Sequence, residues 1–316
     1  MDEDNDVPYR SRVAGVAHAC GHDVHSTVVL GSGLALADSL VAGGHSSTPD
    51  LRAGGGTGAR WRHTLIASGW LDGIESVYGL HCDPKIDVGH VGTRQGAITW
   101  AADLVEISLH GPGGHTASSR PSTWCRGIVA GSGAAPARLG EGPRRGAAQL
   151  PGRCRPVRPR RRTGPRPSGR IIAHTGPTGV GRSGERSLPP PWREILEDTG
   201  LDWQIEHRRG VPPVINHDRQ TDLVEQAVRD SIGPDALVET PQSAAASSFA
   251  WYLEATGGTY VRLSGTYPDL ARRVDLHSSE FDVDESAIGI GVRVLTSVVL
   301  ADLGSPHRGI SRAASP

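Results

Sequence analysis

Lysine and large apolar side chains are scarce in this sequence of 316 residues. Lys85 is the only lysine among 33 basic residues, and the chain holds two phenylalanines and one methionine against 42 glycines and 23 prolines. Such a composition offers little material for packing a core along the whole chain. We therefore expect the ordered core to be confined to part of the sequence.

A strong net charge and a cysteine framework are absent too. The formal net charge of −1 and a pI near 6.9 give no general attraction to nucleic acid or to an anionic membrane. We expect no apolar run long enough to span a bilayer, and the N-terminus MDEDNDVPYR is acidic rather than signal-like. The sequence thus predicts a cytoplasmic protein with reduced thiols and no membrane partner. Its four cysteines are widely spaced: Cys20, Cys82, Cys125 and Cys154.

Apolar periodicity predicts several helices and strands. Val29, Leu30, Leu34 and Ala37 recur at a spacing that predicts the apolar face of one helix. Residues 65–82 indicate a short helix or turn followed by a buried strand. The remaining patterns predict strands at 102–111, 202–207 and 259–265, and helices at 221–233, 247–257 and 287–303.

Residues 126–191 have a different composition from their flanks. These 66 residues contain fourteen arginines, eleven prolines and two glutamates, and no Asp, Lys, Phe, Tyr or Trp. Such a tract cannot bury enough apolar surface to offset the loss of chain entropy. The sequence therefore predicts a disordered tract without a folded core.

A cluster of possible metal ligands lies near the N-terminus in AHACGHDVHS, residues 17–26. Cys20 and His22 are separated only by Gly21, which permits the turn that would point both side chains into one site. A thiolate and an imidazole suit a borderline-soft divalent ion such as zinc, cobalt or manganese, and Asp23 could orient a ligand imidazole. A buried cysteine with two surface histidines is an equally weighted alternative.

Two further histidines stand at positions that could complete such a site. His81 lies in GLHCDP at the predicted end of an apolar strand, and His277 lies in VDLHSSEFDVDE beside a carboxylate-rich loop. A single histidine at a strand end is more often structural than a ligand. Two of them joining a Cys-Gly-His-Asp cluster favour a metal site.

Six motifs occur in an order that resembles a known family. They are HACGHDVH, GLHCDP with GHVGTRQGAITWAADL, HGPGGHTA, RGVPPVINH, TPQS…FAWYL and DLHSSEFDVDE. Together they are similar to the dimetal amidohydrolase branch of the zinc-aminopeptidase-like metallopeptidases, which includes hippurate hydrolase, N-acyl-L-amino-acid amidohydrolases and auxin-conjugate hydrolases. The resemblance covers about two-thirds of the chain, in blocks near 8–42, 64–123 and 192–300.

The resemblance implies an α/β fold with two parts. A mixed-sheet catalytic domain would comprise residues 1–99 and 210–304, and an inserted small α/β lid and dimerisation domain, largely disrupted here, would comprise residues 100–209. Residues 305–316 would be a tail. Within the insertion we expect only the first strand, near 102–110, and the last, near 202–208, to form reliably. The family is homodimeric, and its N-terminus carries further strands before the first motif.

The resemblance also implies roles for individual residues. Two divalent ions (Zn, Mn or Co) would activate a water and polarise the amide carbonyl of an N-acyl amino acid or a small conjugate, and a glutamate would move the proton. His115, in HGPGGHTA, matches the histidine that binds the substrate or its tetrahedral intermediate. His18 and His25 remain outer-sphere or structural residues. The implied metal ligands are Cys20, His22, His81 and His277.

One essential motif of the family is missing. The family carries a Glu-Glu pair between the first two motifs, whose members act as general base and metal ligand. Here the corresponding residues LRAGGGTGAR (51–60) contain no carboxylate. Ser247 and Ser248 likewise replace a Glu-Asp pair. The sequence therefore predicts impaired activity, since a general base contributes about 10²–10⁴-fold.

Preserved spacing with lost chemistry leads to a hypothesis about the gene. We expect the segments near 43–63 and 124–191 to be read in a shifted frame, because GC-rich codons read out of frame yield Arg, Pro, Gly and Ala. Re-translation of the gene in its other two frames tests this idea. Two other interpretations remain open. The chain could be an inactive remnant that still binds metal, or its arginine-rich tract 126–191 could bind nucleic acid.

Overall fold

The structure is a computed structural model that describes residues 1–43, 65–110, 154–155, 168–175, 202–268 and 272–304. The chain forms two compact units. The first comprises Met1–Ile98, Ile215–Pro241 and Tyr252–Pro316, and the second comprises Thr99–Val214 and Gln242–Trp251. The domain boundaries inferred from the sequence stay a prediction.

The described elements comprise four α-helices, one 3₁₀ turn and ten strands. In chain order they are α1 (His22–Gly43), β1 (Ser76–Asp87), β2 (Val91–Thr93), β3 (Gly96–Ala97), β4 (Ala101–His110), β5 (Cys154–Arg155), β6 (Ser168–Thr175), β7 (Asp202–Val211), β8 (Ile215–Asn216), α2 (Asp218–Ser231), a 3₁₀ turn (Pro234–Ala236), β9 (Leu237–Glu239), α3 (Ala250–Ala255), β10 (Gly257–Thr266) and α4 (Ser286–Leu303).

A mixed four-stranded sheet in the order β1-β10-β2-β9 organises the first unit. β1 and β10 are parallel and pair from Ser76 with Gly257 to Asp83 with Ser264. β2 is antiparallel to β10 and parallel to β9. All ten residues of β10 are buried, as befits a strand with a neighbour on each side. The mixed α/β architecture predicted from the sequence is confirmed.

Helix α4 packs against both α1 and α2, and each of the three helices contacts this sheet. The predicted helix 221–233 is confirmed by α2, in which Val224 and Val228 are buried and the chain leaves the helix at Gly233. The hydrophobic core of the first unit is formed by residues of all three helices and of the sheet, among them Val24, Val28, Cys82, Val91, Val228, Val261, Leu263, Val294 and Val298.

The face of α1 that enters the core differs from the predicted one. Leu30 is 51% exposed and Leu34 is 71% exposed, whereas the core face carries Val24, Val28, Ser32 and Leu36. Two stripes of α1 are apolar enough to be buried. The stripe that carries Val24 and Val28 is the one in the core, where α1 packs against α4. The Ser32 hydroxyl is accommodated there because it donates to the carbonyl of Val28 at 2.8 Å.

The last helix corrects the expectation about apolar runs. By length and composition alone, Ser286–Leu303 could cross a membrane. In the structure one face of this helix is buried, including Ala287, Gly291, Val294 and Val298, and the helix packs against α1, α2 and β10. A long apolar core helix meets the same criterion of length, so this single segment is weak evidence for a membrane span.

The strand that carries His81 is longer than its sequence predicts. His81 lies in the middle of β1, which continues through Pro84 to Asp87. The pairing with β10 becomes irregular between Asp83 and Asp87, so the proline sits where the ladder is interrupted. The predicted end of the strand at His81 is therefore wrong.

The second unit contains a sheet in the order β5-β6-β4-β7. β4 and β7 confirm the strands predicted near 102–110 and 202–208, and they pair antiparallel. β6 (Ser168–Thr175) pairs antiparallel with β4 along its whole length, and β5 pairs with β6. These ten residues form strands within the tract predicted to be disordered, so they correct that prediction for this part of it. Backbone pairing of β6 with β4 and of β5 with β6 supplies their hydrogen bonds, which composition does not reveal. The rest of 126–191 lies outside the described residues.

Candidate metal centre

The turn before α1 presents two of the predicted ligands. Gly21 has a φ of +72°, a left-handed conformation that glycine adopts without strain. A Cβ at this position would lie 2.9 Å from the sulfur of Cys82, so the turn also approaches β1 too closely for a side chain. Cys20 and His22 flank this glycine and are both half-buried.

β1 brings the third predicted ligand to the same place. One donor atom each from Cys20, His22 and His81 lies within 4.8 Å of the other two. The sulfur of Cys20 is 3.4 Å from Nε2 of His81, although the two residues are 61 positions apart. The turn and the strand together therefore form a compact group of three donors.

The hydrogen bonds of His81 fix which ring nitrogen faces this group. Nδ1 of His81 lies 2.7 Å from the carbonyl oxygen of Cys82, and only a protonated Nδ1 can bond to a carbonyl. Nε2 therefore carries the lone pair and accepts from the Cys20 thiol. Burial lowers the pKa of His81 to about 4, so the ring is neutral at pH 7. Burial raises the pKa of Cys20, which keeps that thiol protonated while no cation is present.

The donors fit a divalent cation in both chemistry and spacing. One sulfur and two imidazole nitrogens are typical of zinc and similar borderline-soft ions. Ligand bonds of about 2.3 Å to sulfur and 2.0 Å to nitrogen, at a tetrahedral angle, separate the two atoms by about 3.5 Å. The observed 3.4 Å between Cys20 and His81 agrees with this value. A cation would take the place of the proton that the two side chains share.

His25 stands beside the donor group but uses its ring differently. Its Nε2 accepts the backbone N–H of Cys82 at 2.8 Å, and its ring centroid is 4.6 Å from that of His81. Burial is the main cause that lowers the pKa of His25 to about 2, with a contribution from the charges of His81 and His22. Sequence reasoning left this residue without a specific role.

Two other predicted residues lie near the group without joining the set of three. His277 is exposed, has a φ of +64° and donates its backbone N–H to the carbonyl of Ala19 at 2.6 Å. Burial is the main cause that lowers the pKa of His22 and of His81, and the charge of His277 contributes to both shifts. The remaining residue, Asp23, has a carboxylate 3.7 Å from Nδ1 of His18.

The other predicted site residues are distributed as follows. His115 and the segment 51–60 that should carry the glutamate pair lie outside the described residues. Ser247 is described, and its hydroxyl accepts the backbone N–H of Phe249 at 3.3 Å, a local turn contact. Cys82 is a residue that sequence reasoning missed: its N–H and its carbonyl each bind one histidine of the cluster. The sequence could have indicated this role, because Cys82 directly follows the predicted ligand His81.

A cysteine and two histidines grouped at a turn and an adjacent strand of an α/β sheet form a candidate site for a divalent cation. Comparison with known proteins identifies the family. The sequence profile of peptidase family M20/M25/M40 matches residues 1–301. The chain therefore belongs to this family, and the resemblance derived from the six motifs is confirmed.

Two relatives align with nearly the whole chain. A Synechocystis protein named a probable hydrolase is 33% identical over 94% of this chain and 76% of its own length. The N-acetyl-L-cysteine deacetylase of Bacillus subtilis is 28% identical over 91% of this chain and 68% of its own length.

A third relative is much longer than this chain. It comes from Rhodococcus jostii, is named as a candidate glutamate–cysteine ligase and is 32% identical. The chain spans 94% of its own length in that alignment but only 37% of the relative. The name of that protein therefore says nothing about the activity of this chain.

Solved structures support the fold. A dinuclear metal-binding peptidase of the M20 family from Bacillus subtilis superposes with a TM-score of 0.66, and the match covers 96% of this chain and 78% of that one. The two sequences are 19% identical, so the likeness is one of fold.

Proposed function

We propose that the chain is a metal-dependent amidohydrolase for N-acyl amino acids or small amide conjugates, with impaired turnover. The observation that carries the proposal is the group of Cys20, His22 and His81, whose donor atoms lie within 4.8 Å of one another. Family membership supports the reaction class, and the named deacetylase among the relatives supports the substrate class.

The residues of the group act as holders of a divalent cation. Cys20 gives up its proton to solvent when a cation binds, and His81 is oriented by the bond from its Nδ1 to Cys82. His277 is the remaining candidate ligand, and His115 is the candidate for substrate binding. When bound, one or two ions of zinc, manganese or cobalt lower the pKa of water and polarise an amide carbonyl.

The sequence contains no general base at the position the family uses. No two glutamates are adjacent anywhere in the 316 residues. Without that base we expect rates roughly 10²–10⁴-fold below those of family members that carry the pair. This loss makes a metal-binding remnant without turnover the second candidate function.

Calorimetry with Co²⁺ on the metal-free protein tests the binding site. At pH 7 in buffers of different ionisation enthalpy, we expect release of about one proton per Co²⁺, because the Cys20 thiol must ionise to bind. Cys20→Ser should abolish this proton release. Cys82→Ser is the matched control, since it removes a described thiol outside the donor group, and circular dichroism checks that both variants fold.

Hydrolysis assays then separate the two candidate functions. The loaded protein is incubated with N-acetyl amino acids and N-benzoylglycine, and the released amine is quantified. Cleavage that depends on added metal and disappears in Cys20→Ser supports the impaired enzyme. Metal binding with cleavage no faster than the protein-free blank identifies the remnant, and absence of metal binding contradicts both.

A further inference from the structure

We propose that His25 is a positioning residue, which ties the helix that carries His22 to the strand that carries His81. The inference rests on the proposed function, since it assigns His25 a part in holding the same donor group. It concerns a contact between two elements of the first unit, α1 and β1.

The bond that His25 makes excludes it from the donor set. Its Nε2 accepts the backbone N–H of Cys82 at 2.8 Å, so the lone pair of this nitrogen is already used. The proton of the neutral ring then sits on Nδ1, which leaves no free lone pair for a cation. His22 and His25 are one helical turn apart, yet only His22 belongs to the group of three donors.

Cys82 donates one backbone hydrogen bond to His25 and accepts another from His81. In a strand the N–H and the carbonyl of one residue point to the same side. At Cys82 the N–H goes to His25 and the carbonyl accepts from Nδ1 of His81, so both groups face away from the partner strand β10. In the described part of the chain β1 has no second neighbour, and the two imidazoles bind the open edge at this residue.

Through Cys82, His25 sets the position of His81, although His25 and His81 share no hydrogen bond. It holds Cys82 at a fixed height relative to α1, and the carbonyl of Cys82 in turn orients the ring of His81. Loss of the His25 bond would leave the Cys82 N–H without its partner and let β1 shift relative to Cys20. Outer partners of this kind change metal affinity by about 10–100-fold.

Two substitutions test the role of His25. His25→Leu removes the acceptor, whereas His25→Gln places an amide oxygen near the position of Nε2. We expect the Co²⁺ affinity of the Leu variant to fall by about 10–100-fold and that of the Gln variant to stay close to wild type. His90→Asn is the control, because His90 lies in the same unit outside the donor group.

A second readout needs no metal. Hydrogen exchange of the Cys82 amide and the ¹⁵N shifts of the His81 ring are measured on the metal-free protein. Protection of the amide and the Nδ1–H tautomer should persist in wild type and His25→Gln and be lost in His25→Leu.

The outcomes distinguish this inference from the proposed function. Unchanged affinity and unchanged amide protection in His25→Leu overturn the positioning role. A Gln variant as weak as the Leu variant overturns it as well, because the imidazole itself would then be needed as a ligand. If the wild type binds no Co²⁺, the proposed function fails, and the exchange and tautomer data still decide whether His25 positions His81.

Discussion

Two polar clusters involve β1, and they differ in how far their polar groups are already neutralised. At Tyr78 the carboxylate of Asp302 accepts from the tyrosine hydroxyl at 2.8 Å and from the guanidinium of Arg219 at 2.6 Å. At His81 the thiol of Cys20 shares its proton with Nε2 of His81, and His22 contributes a third donor atom to the same group. The first cluster is a closed ion pair, whereas the second can exchange its proton for a cation.

The difference shows that partners, rather than residue types, decide whether a polar cluster is structural. Tyr78 and His81 are three residues apart on one strand, so their side chains lie on opposite faces of the sheet. Burial and Asp302 raise the pKa of Tyr78, which stays a neutral donor. The carboxylate of Asp302 already forms an ion pair with Arg219, so we expect it to bind a cation only weakly.

The largest expected effect follows from removal of a donor. His81→Ala should weaken Co²⁺ binding by more than the roughly 10–100-fold expected for an outer partner, since a ligand itself is lost. Tyr78→Phe should leave the affinity unchanged, because it alters only the other cluster. Direct titration with Co²⁺ checks both variants, and equal affinities in the two would erase the contrast between the clusters.

Acid should destabilise the metal-free protein through the histidine cluster. The pKa values of His25 and His81 are lowered to about 2 and about 4 from the ordinary value of 6.5. The unfolded chain therefore binds more protons than the folded one below pH 6.5, and stability falls as the pH falls. Between pH 7 and pH 5 we expect a loss of about 2 kcal/mol for each histidine.

Urea unfolding at pH 7 and pH 5 with a chelator present measures this dependence. His81→Gln should lose its share of the pH effect, and Tyr78→Phe should retain the whole of it. A free energy of unfolding that is the same at both pH values would contradict the prediction.

A smaller effect is expected at the closed ion pair. Asp302→Asn removes the charge that Arg219 meets and weakens the acceptor of Tyr78, so unfolding should become easier by about 1–3 kcal/mol. Arg219 is partly exposed, which moderates the loss. Co²⁺ affinity should not change. Urea unfolding and Co²⁺ titration of the same sample provide the measurement, and a fall in affinity like that of His81→Ala would show that the clusters are coupled.

The sequence predicted most elements but could not choose between alternative faces of a helix. Val224 and Val228 in α2 leave one apolar stripe, and that stripe is buried. α1 carries two such stripes, with Leu30 and Leu34 on one and Val24 and Val28 on the other. The choice depends on α4, which is more than 240 residues away in the chain, so periodicity within α1 cannot supply it.

The donor group was foreseeable because side-chain chemistry and glycine conformation are local. The Cys-Gly-His spacing predicts a turn with two donors, and Gly21 adopts the left-handed conformation that this requires. The use of Nε2 of His25 by the backbone of Cys82 was not foreseeable, since it depends on how closely β1 approaches α1. Residue types alone do not distinguish an imidazole that binds a cation from one that binds a peptide.

The pairing of β1 with β10 has a consequence in time. Ser76 pairs with Gly257, and a ribosome that adds about 5–20 residues per second delivers the second residue roughly 10–40 s after the first. During this interval β1, which carries His81, cannot pair with β10 because β10 has not yet been synthesised. Pairings between strands so distant in sequence also form slowly. Cation binding is therefore expected late, as a property of the finished chain rather than of its first hundred residues.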